Sequence, residues 1–309
     1  GLSNGSVVVT ANGGTPGYSV SPSQTGLSAG TYTFTVTDAN GCSTTVTATI
    51  TQPAALVASV SSQTNVSING GSNGSAVVSA TGGVGPYTLS SSSGTVSGNT
   101  VTGLSAGTYV FTVTDANGNT ATASATITQP SALVATIGSQ TNVSCAGGSN
   151  GSVVVNATGG VSPYTIAPSQ TGLISGSYTF TVTDSNGAVA TATATITEPA
   201  SIAVTTNNPS IGCNGGTAVL TATAGGGTGN LVYSLDGVAY QASSSFTVNA
   251  GTYSITVKDA NGCVATSAPV TLVNPSALSA IITSQTNASG FGLSNGSVVV
   301  TANGGTPGY

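Results

Sequence analysis

Along residues 31–38 the side chains alternate strictly: Tyr32, Phe34 and Val36 fall on one side, and Thr31, Thr33, Thr35 and Thr37 on the other. A period of two sends successive residues to opposite faces of an extended chain, so this run predicts a strand with one face on a core and one in water. Asp-Ala-Asn-Gly follows at 38–41. Asp and Asn bond their own backbone and Gly accepts positive φ, so Asp38, Asn40 and Gly41 predict a turn that closes a hairpin onto the next alternating run, 44–51. In the second unit, similar runs at 56–61, 75–80, 87–91, 95–102, 108–115 and 120–128 predict six or seven short strands. That count with frequent turns predicts a β-sandwich, and helical periodicity is absent.

The same pattern returns along the chain. Gly-Thr-Tyr-Thr-Phe-Thr-Val-Thr-Asp-Ala-Asn-Gly at 30–41 recurs in variant form at 107–118, 176–187 and 251–262. Each copy supplies the same turn residues: Asp115, Asn117 and Gly118; Asp184, Asn186 and Gly187; Asp259, Asn261 and Gly262. Upstream lies Asn-Gly-Ser-Val-Val-Val or a variant, and between units sits a proline junction at Pro53, Pro130, Pro199 and Pro275. Repeats of this period predict a tandem array, here 1–52 without its first strand, 53–129, 130–198, 199–274, and 275–309 as the start of a fifth. Residues 1–18 are identical to residues 292–309, a shift of 291 positions, which reads as recent duplication within a larger gene. The expected fold class is all-β, a tandem array of small immunoglobulin-like β-sandwich domains. The tyrosines Tyr32, Tyr109, Tyr178 and Tyr253 sit where a tyrosine corner of such sandwiches lies. Units this small bury little core each, so neighbours are expected to pack across the proline junctions.

Composition narrows the function. Only seven of 309 side chains are charged: Lys258, Asp38, Asp115, Asp184, Asp236, Asp259 and Glu198, with no His, Trp or Met. That removes most acid/base chemistry, and no enzyme activity or cofactor is expected. Ser and Thr are abundant but lack a nearby base in every unit except the one holding Lys258, itself expected to be solvated on an outward strand face. A chain with one lysine cannot neutralise phosphates, so nucleic acid is not an expected partner. No run of apolar residues reaches the length of a membrane span. With no Met, the sequence is expected to be a piece of a longer chain. Low charge leaves little repulsion between copies and few guards on strand edges, so other copies of this protein are the expected partner, through filament formation or lateral packing.

Several motifs together resemble the SprB-type repeat of gliding and surface adhesins from the Bacteroidetes. They are Asn-Gly-Ser-Val-Val-Val-x-Ala-Thr-Gly-Gly-x-x-Pro-Tyr-Thr at 150–165, Leu-Ser-Ala-Gly-Thr-Tyr-x-Phe-Thr-Val-Thr-Asp-Ala-Asn-Gly at 104–118, and the closing Ala-Thr-Ile-Thr-Gln-Pro. The resemblance implies a very large type IX-secreted protein on the bacterial cell surface, working in adhesion or gliding motility. The expected function is then a structural and adhesive extracellular stalk or filament. The alternative is an array of carbohydrate-binding modules, with surface glycans held by the loops around Pro86-Tyr87 and Pro163-Tyr164.

The four cysteines occupy two repeat positions. Cys145 and Cys213 precede the Asn-Gly-Ser strand, while Cys42 and Cys263 follow the Asp-Ala-Asn-Gly turn. Only the fourth unit carries both, so Cys213–Cys263 is the expected disulfide in an oxidising location. One geometric objection stands: in an immunoglobulin topology the two positions lie at opposite ends of the sandwich. Cα atoms must come within about 7 Å to bridge. Cys42 and Cys145 are expected to be idle buried thiols, with a contact between chains or units as the alternative. The Asp-x-Asn-Gly turns look like calcium loops, but one carboxylate per turn falls short of what calcium usually collects, and the turn role is favoured. The outward threonine rows could face ice or carbohydrate; a good exposed strand residue is the favoured reading.

Overall fold

The computed structural model describes residues 3–306; Gly1 and Leu2 of the first repeat and Pro307, Gly308 and Tyr309 of the fifth lie outside it. The described residues contain strands and turns and no helix. They form two compact units, residues 3–132 with 159–161, and residues 133–158 with 162–306.

The second repeat, in the first unit, has the complete set of strands. One sheet runs Val57–Thr64, Gly74–Thr81, Thr100–Leu104, Thr95–Ser97 in spatial order, and the other Thr120–Ile127, Gly107–Thr114, Thr88–Ser91. Lettered A to G along the chain, these are sheets ABED and GFC, the strand order of a constant-type immunoglobulin sandwich. The single run expected at 95–102 is in fact the hairpin of strands D and E, broken at Gly98, whose φ is +60°. Side-chain alternation is blind to such a break because it continues across a two-residue turn.

The third repeat, in the second unit, repeats the plan. Val134–Thr141, Gly151–Thr158 and Thr171–Leu173 form one sheet, and Thr165–Ala167, Gly176–Thr183 and Val189–Ile196 the other. The fourth repeat splits its F and G strands, pairing Gly251–Tyr253 with Val270–Leu272 and Thr256–Lys258 with Val264–Thr266. Pro269 has no N–H for the ladder there. Ser267 repairs the gap: its N–H donates to the Ile255 carbonyl at 3.0 Å and its hydroxyl accepts the Ile255 N–H at 3.0 Å. In the first repeat Ser19–Ser21, Gly30–Thr37 and Ser43–Ile50 form the GFC sheet, and the fifth shows its first pair, Ser279–Thr286 with Ser297–Asn303.

The second, third and fourth repeats each bury a core of their own. In the second, Phe111 and Val113 from strand F meet Ala76 and Val78 from B, Val101 and Leu104 from E, and Ile127 from G. Equivalent clusters centre on Phe180 in the third repeat and on Ile255 and Val257 in the fourth. The threonines on the other face of strands F and G stand directly opposite one another and bond hydroxyl to hydroxyl: Thr31 with Thr49 at 3.2 Å, Thr108 with Thr126 at 3.1 Å, and Thr252 with Thr271 at 2.9 Å. Such pairs are the unit of sheet stabilisation on a polar face. Lys258 is not simply solvated; its Nζ sits 3.8 Å from the centre of the Tyr240 ring.

This register predicts opposite outcomes for neighbouring residues. Phe111 is 0% exposed and Val110 is 53% exposed. Phe111→Ala is expected to cost about 3–5 kcal/mol in urea denaturation, and Val110→Ala no more than about 0.5 kcal/mol.

Candidate functional site

The features that recur in every repeat are at the ends of the sandwiches. The first is the aspartate that opens the F–G hairpin. Oδ1 of Asp259 accepts the N–H of Asn261 at 3.0 Å and of Cys263 at 2.8 Å, while Oδ2 accepts the N–H of Thr228 from the B–C loop at 2.8 Å. Asp115 does the same with Asn117, Asn119 and Val84, and Asp38 with Asn40, Cys42 and Thr15. Asp184 accepts from Asn186 and Ala188. One carboxylate therefore fastens a hairpin to a second loop through backbone N–H groups. Asp115, Asp184 and Asp259 are buried, a placement a carboxylate tolerates only with such partners.

These bonds hold the carboxyls in the charged form. Asp38 lies below its ordinary value of 3.8, chiefly through the N–H of Thr15 and then of Cys42. Asp115 is lowered chiefly by the Asn119 side chain. For Asp259 burial is the largest influence and pushes upward, but the N–H groups of Thr228, Cys263 and Asn261 together outweigh it. Asp236, outside the turns, is pulled down to about 2 by the Ser234 hydroxyl and the N–H groups of Val238 and Ala239. Among the described residues no cluster of three or more His, Cys, Asp or Glu could hold a metal.

The tyrosines brace strand F. Tyr109 donates to the Ser105 carbonyl at 3.0 Å, Tyr178 to Ile174 at 3.1 Å and Tyr32 to Ser28 at 3.1 Å, each four residues upstream, which is tyrosine-corner geometry. Among the described residues Tyr253 makes no such bond. Tyr87, in a loop considered for glycans, donates to its own Gly82 carbonyl at 2.7 Å.

The proline junctions are held on both sides. Before Pro130, the Gln129 side chain accepts the Gly70 N–H at 2.8 Å, and Asn69 donates to the Pro130 carbonyl at 2.9 Å, tying the end of the repeat to its own A–B loop. Glu198 with Gly147, Asn274 with Gly215, and Asn214 with Pro275 repeat the arrangement. After the proline, the Gly83 N–H reaches Ala54, Gly227 reaches Ala200, and Gly305 reaches Ser276, each at 2.8 Å, tying the start of the repeat to its B–C loop. This approach needs glycine: a Cβ at Gly82, where φ is +73°, would collide with the Ala55 carbonyl oxygen.

The disulfide lies between repeats. Cys145 of the third repeat bonds Cys263 of the fourth, with Cα atoms 5.6 Å apart and 118 residues between them in sequence. The expected Cys213–Cys263 bridge is not made, because an A–B loop and an F–G hairpin occupy opposite ends of one sandwich. End-to-end placement brings the A–B loop of the third repeat onto the F–G hairpin of the fourth, where Asn261 Nδ2 also donates to the Ser144 carbonyl at 3.0 Å. Cys145, expected to be an idle buried thiol, is instead bonded between units, the alternative considered for it; Cys42 is free and exposed rather than buried, and Cys213 is free and exposed. The first and second repeats adjoin at corresponding ends, where Asn4 and Gly5 line a cleft with Asp115, Asn117 and Asn119. Sequence reasoning paired cysteines within a unit; the sequence-level sign of the true pairing was the cysteine-free turn of the third unit, at Ala188, and the cysteine-free loop of the second, at Ile68.

Comparison with known proteins adds the following. The family model described as SprB repeat matches residues 60–96 and 137–167, so the second and third units carry SprB repeats. No curated protein matches the chain. Among solved structures, the chain is similar to three N-terminal domains of the bacteriophage RB49 highly immunogenic outer capsid protein, with 14% identity, 71% of this chain and 99% of that one covered, and a TM-score of 0.32. It is also similar to the N-terminal eight Ig domains of Down syndrome cell adhesion molecule, with 12% identity, 84% and 52% covered, and a TM-score of 0.26. Surface layer protein SbsC, domains 1–6, gives 15% identity, 91% and 56% covered, and 0.22. The chain spans about half the length of the last two. The fold assignment rests on the strand order itself, and the chain is a structural repeat region.

Two outcomes are expected from these contacts. A carboxyl lowered in the folded state contributes stability above its unfolded value and loses it as the pH falls through the folded one. The thermal midpoint should therefore be level above about pH 5 and fall below 3.8, the ordinary value for the turn aspartates; Asp115→Asn should flatten the fall in the second repeat. Under single-molecule tension, the 118-residue covalent loop should shorten the fully extended length by roughly 400 Å relative to the reduced chain, at about 3.3–3.6 Å per residue.

Proposed function

We propose that this chain, whose second and third units carry SprB repeats, is the shaft of an extracellular adhesive protein, and that it carries out no catalysis. The observation that carries this reading is the fastening of one sandwich to the next. The ends of the second, third and fourth repeats are tied to their own A–B loops, the starts of the second, fourth and fifth to their own B–C loops, and the third and fourth repeats are joined covalently. A chain built to display independent modules has no use for such ties, whereas one that transmits tension between a cell and a surface does. An inter-repeat disulfide also fits an oxidising, extracellular location.

The surface supports lateral packing as well. It is made of hydroxyls and amides, with a net charge of −5 over 309 residues, so copies repel one another weakly. A strand such as Val134–Thr141 carries a half-exposed valine, Val134, and no lysine to discourage pairing. On this reading the chain works as a filament or stalk in surface attachment, with gliding as the motile form of the same task.

Electron cryo-microscopy of material sheared from cells tests the proposal. Fibres with a regular axial repeat at the spacing of one sandwich are expected. Freely jointed beads, with no fixed angle between neighbouring repeats, would overturn the shaft reading.

A further inference from the structure

The disulfide between the third and fourth repeats defines a rule that can be followed along the sequence. Its first half sits in the A–B loop, at a residue whose carbonyl accepts an N–H three residues on: Cys145 from Gly148, and equally Ile68 from Gly71, Cys213 from Gly216 and Gly290 from Leu293. Its second half sits four residues after the turn aspartate: Cys42, Asn119, Ala188 and Cys263. By residue type, the loop of each repeat can be matched with the turn of the next. Ile68 is matched with Ala188, neither a cysteine, and Cys145 with Cys263, both cysteines and bonded. Cys213 is matched with the turn position of the fifth repeat. That repeat begins with residues 292–309, identical to 1–18; where the 291-residue period continues, its turn position falls one period on from Cys42 and is a cysteine again. The spacing from Cys213 is then 120 residues, against 118 for the bond that is formed.

A second observation places the two halves together. In the first repeat Thr15 lies on the turn that carries Cys42: its N–H donates to Asp38 at 3.0 Å, its carbonyl accepts from Ala39 at 3.3 Å, and its hydroxyl accepts from Asn40 at 2.7 Å. Thr228 makes the first two of these contacts to the turn that carries Cys263. The equivalent of Thr15 one period on is Thr306, and its hydroxyl donates to the carbonyl of Gly212, the residue before Cys213, at 2.7 Å. In the bonded pair, the carbonyl before Cys145, that of Ser144, likewise accepts from the turn that carries Cys263. The fifth repeat's equivalent of the loop that holds the Cys42 turn is thus already seated beside Cys213. Both free thiols are exposed, as a bond across a repeat boundary requires.

We propose that Cys213 forms a disulfide with Cys42 of the following 291-residue period, making the four cysteines one series of inter-repeat staples. Two thiols lose two protons and two electrons to a disulfide oxidant such as oxidised glutathione, which leaves as two glutathione thiols. Because Cys213 lies inside the segment closed by Cys145 and Cys263, the two covalent loops overlap. Tension along the chain then meets no unbridged stretch from Cys145 to the Cys42 of the next period. In the cell this rests on the extracellular reading, since only an oxidising location keeps such bonds.

The test is a chain in which residues 1–291 carrying Cys42→Ser are followed by 1–309 carrying Cys213→Ser, so that one Cys213 and one Cys42 remain, refolded in a glutathione redox buffer, alkylated and mapped by peptide mass spectrometry without reduction. A peptide joining Cys213 of the first period to Cys42 of the second is expected beside two Cys145–Cys263 peptides. Cys213→Ser should leave that Cys42 fully alkylated and both Cys145–Cys263 links intact. Alkylation of Cys213 and the second Cys42 while Cys145–Cys263 is oxidised would overturn the proposal, as would a Cys213–Cys263 peptide or the absence of every link. Reduced Cys145 and Cys263 in material taken directly from cells would instead count against the extracellular reading.

Discussion

A buried carboxylate that has no cation beside it holds the ends of these sandwiches together. Each F–G hairpin opens on an aspartate whose oxygens accept backbone N–H groups from its own turn and, at Asp38, Asp115 and Asp259, from the B–C loop. Loop N–H groups that no sheet can satisfy are thereby paired, and the charge is compensated by dipoles rather than by a lysine. That is how a chain with one lysine can carry a buried acid in every complete repeat. The B–C loop so fixed is the same loop that receives the first residues after each proline.

From this anchor the order of construction runs outward. The aspartate sets the B–C loop, the B–C loop holds the entering chain through Gly83, Gly227 and Gly305, and the departing chain is held by the A–B loop through Gln129, Glu198 and Asn274. Because A–B loops and F–G hairpins lie at opposite ends of a sandwich, any covalent tie between them must cross a repeat boundary. Cys145–Cys263 does so. In a chain-entropy account a loop of that length removes up to about 5 kcal/mol of freedom from the unfolded state, shared by two small domains with modest cores.

Much of this was legible in the sequence, residue by residue. The alternation of Tyr32, Phe34 and Val36 with threonines named the core face of strand F, and the structure buries Phe34 and Val36 while pairing Thr31 with Thr49 outside. Asp-Ala-Asn-Gly named the turn, and Gly41, Gly118, Gly187 and Gly262 all take positive φ there. The hairpin between Thr95–Ser97 and Thr100–Leu104 was hidden, because Gly98 turns the chain without breaking the alternation.

What the sequence alone determined is the repeating unit: its strands, its turns, its core and its period, all of which follow from local chemistry repeated at fixed spacing. Tertiary structure alone decided how one unit meets the next. The disulfide partner of Cys263 and the seating of Thr306 beside Cys213 depend on which ends of which sandwiches face each other. A repeated sequence offers every unit the same candidate contacts, and only the direction in which the ends point selects among them.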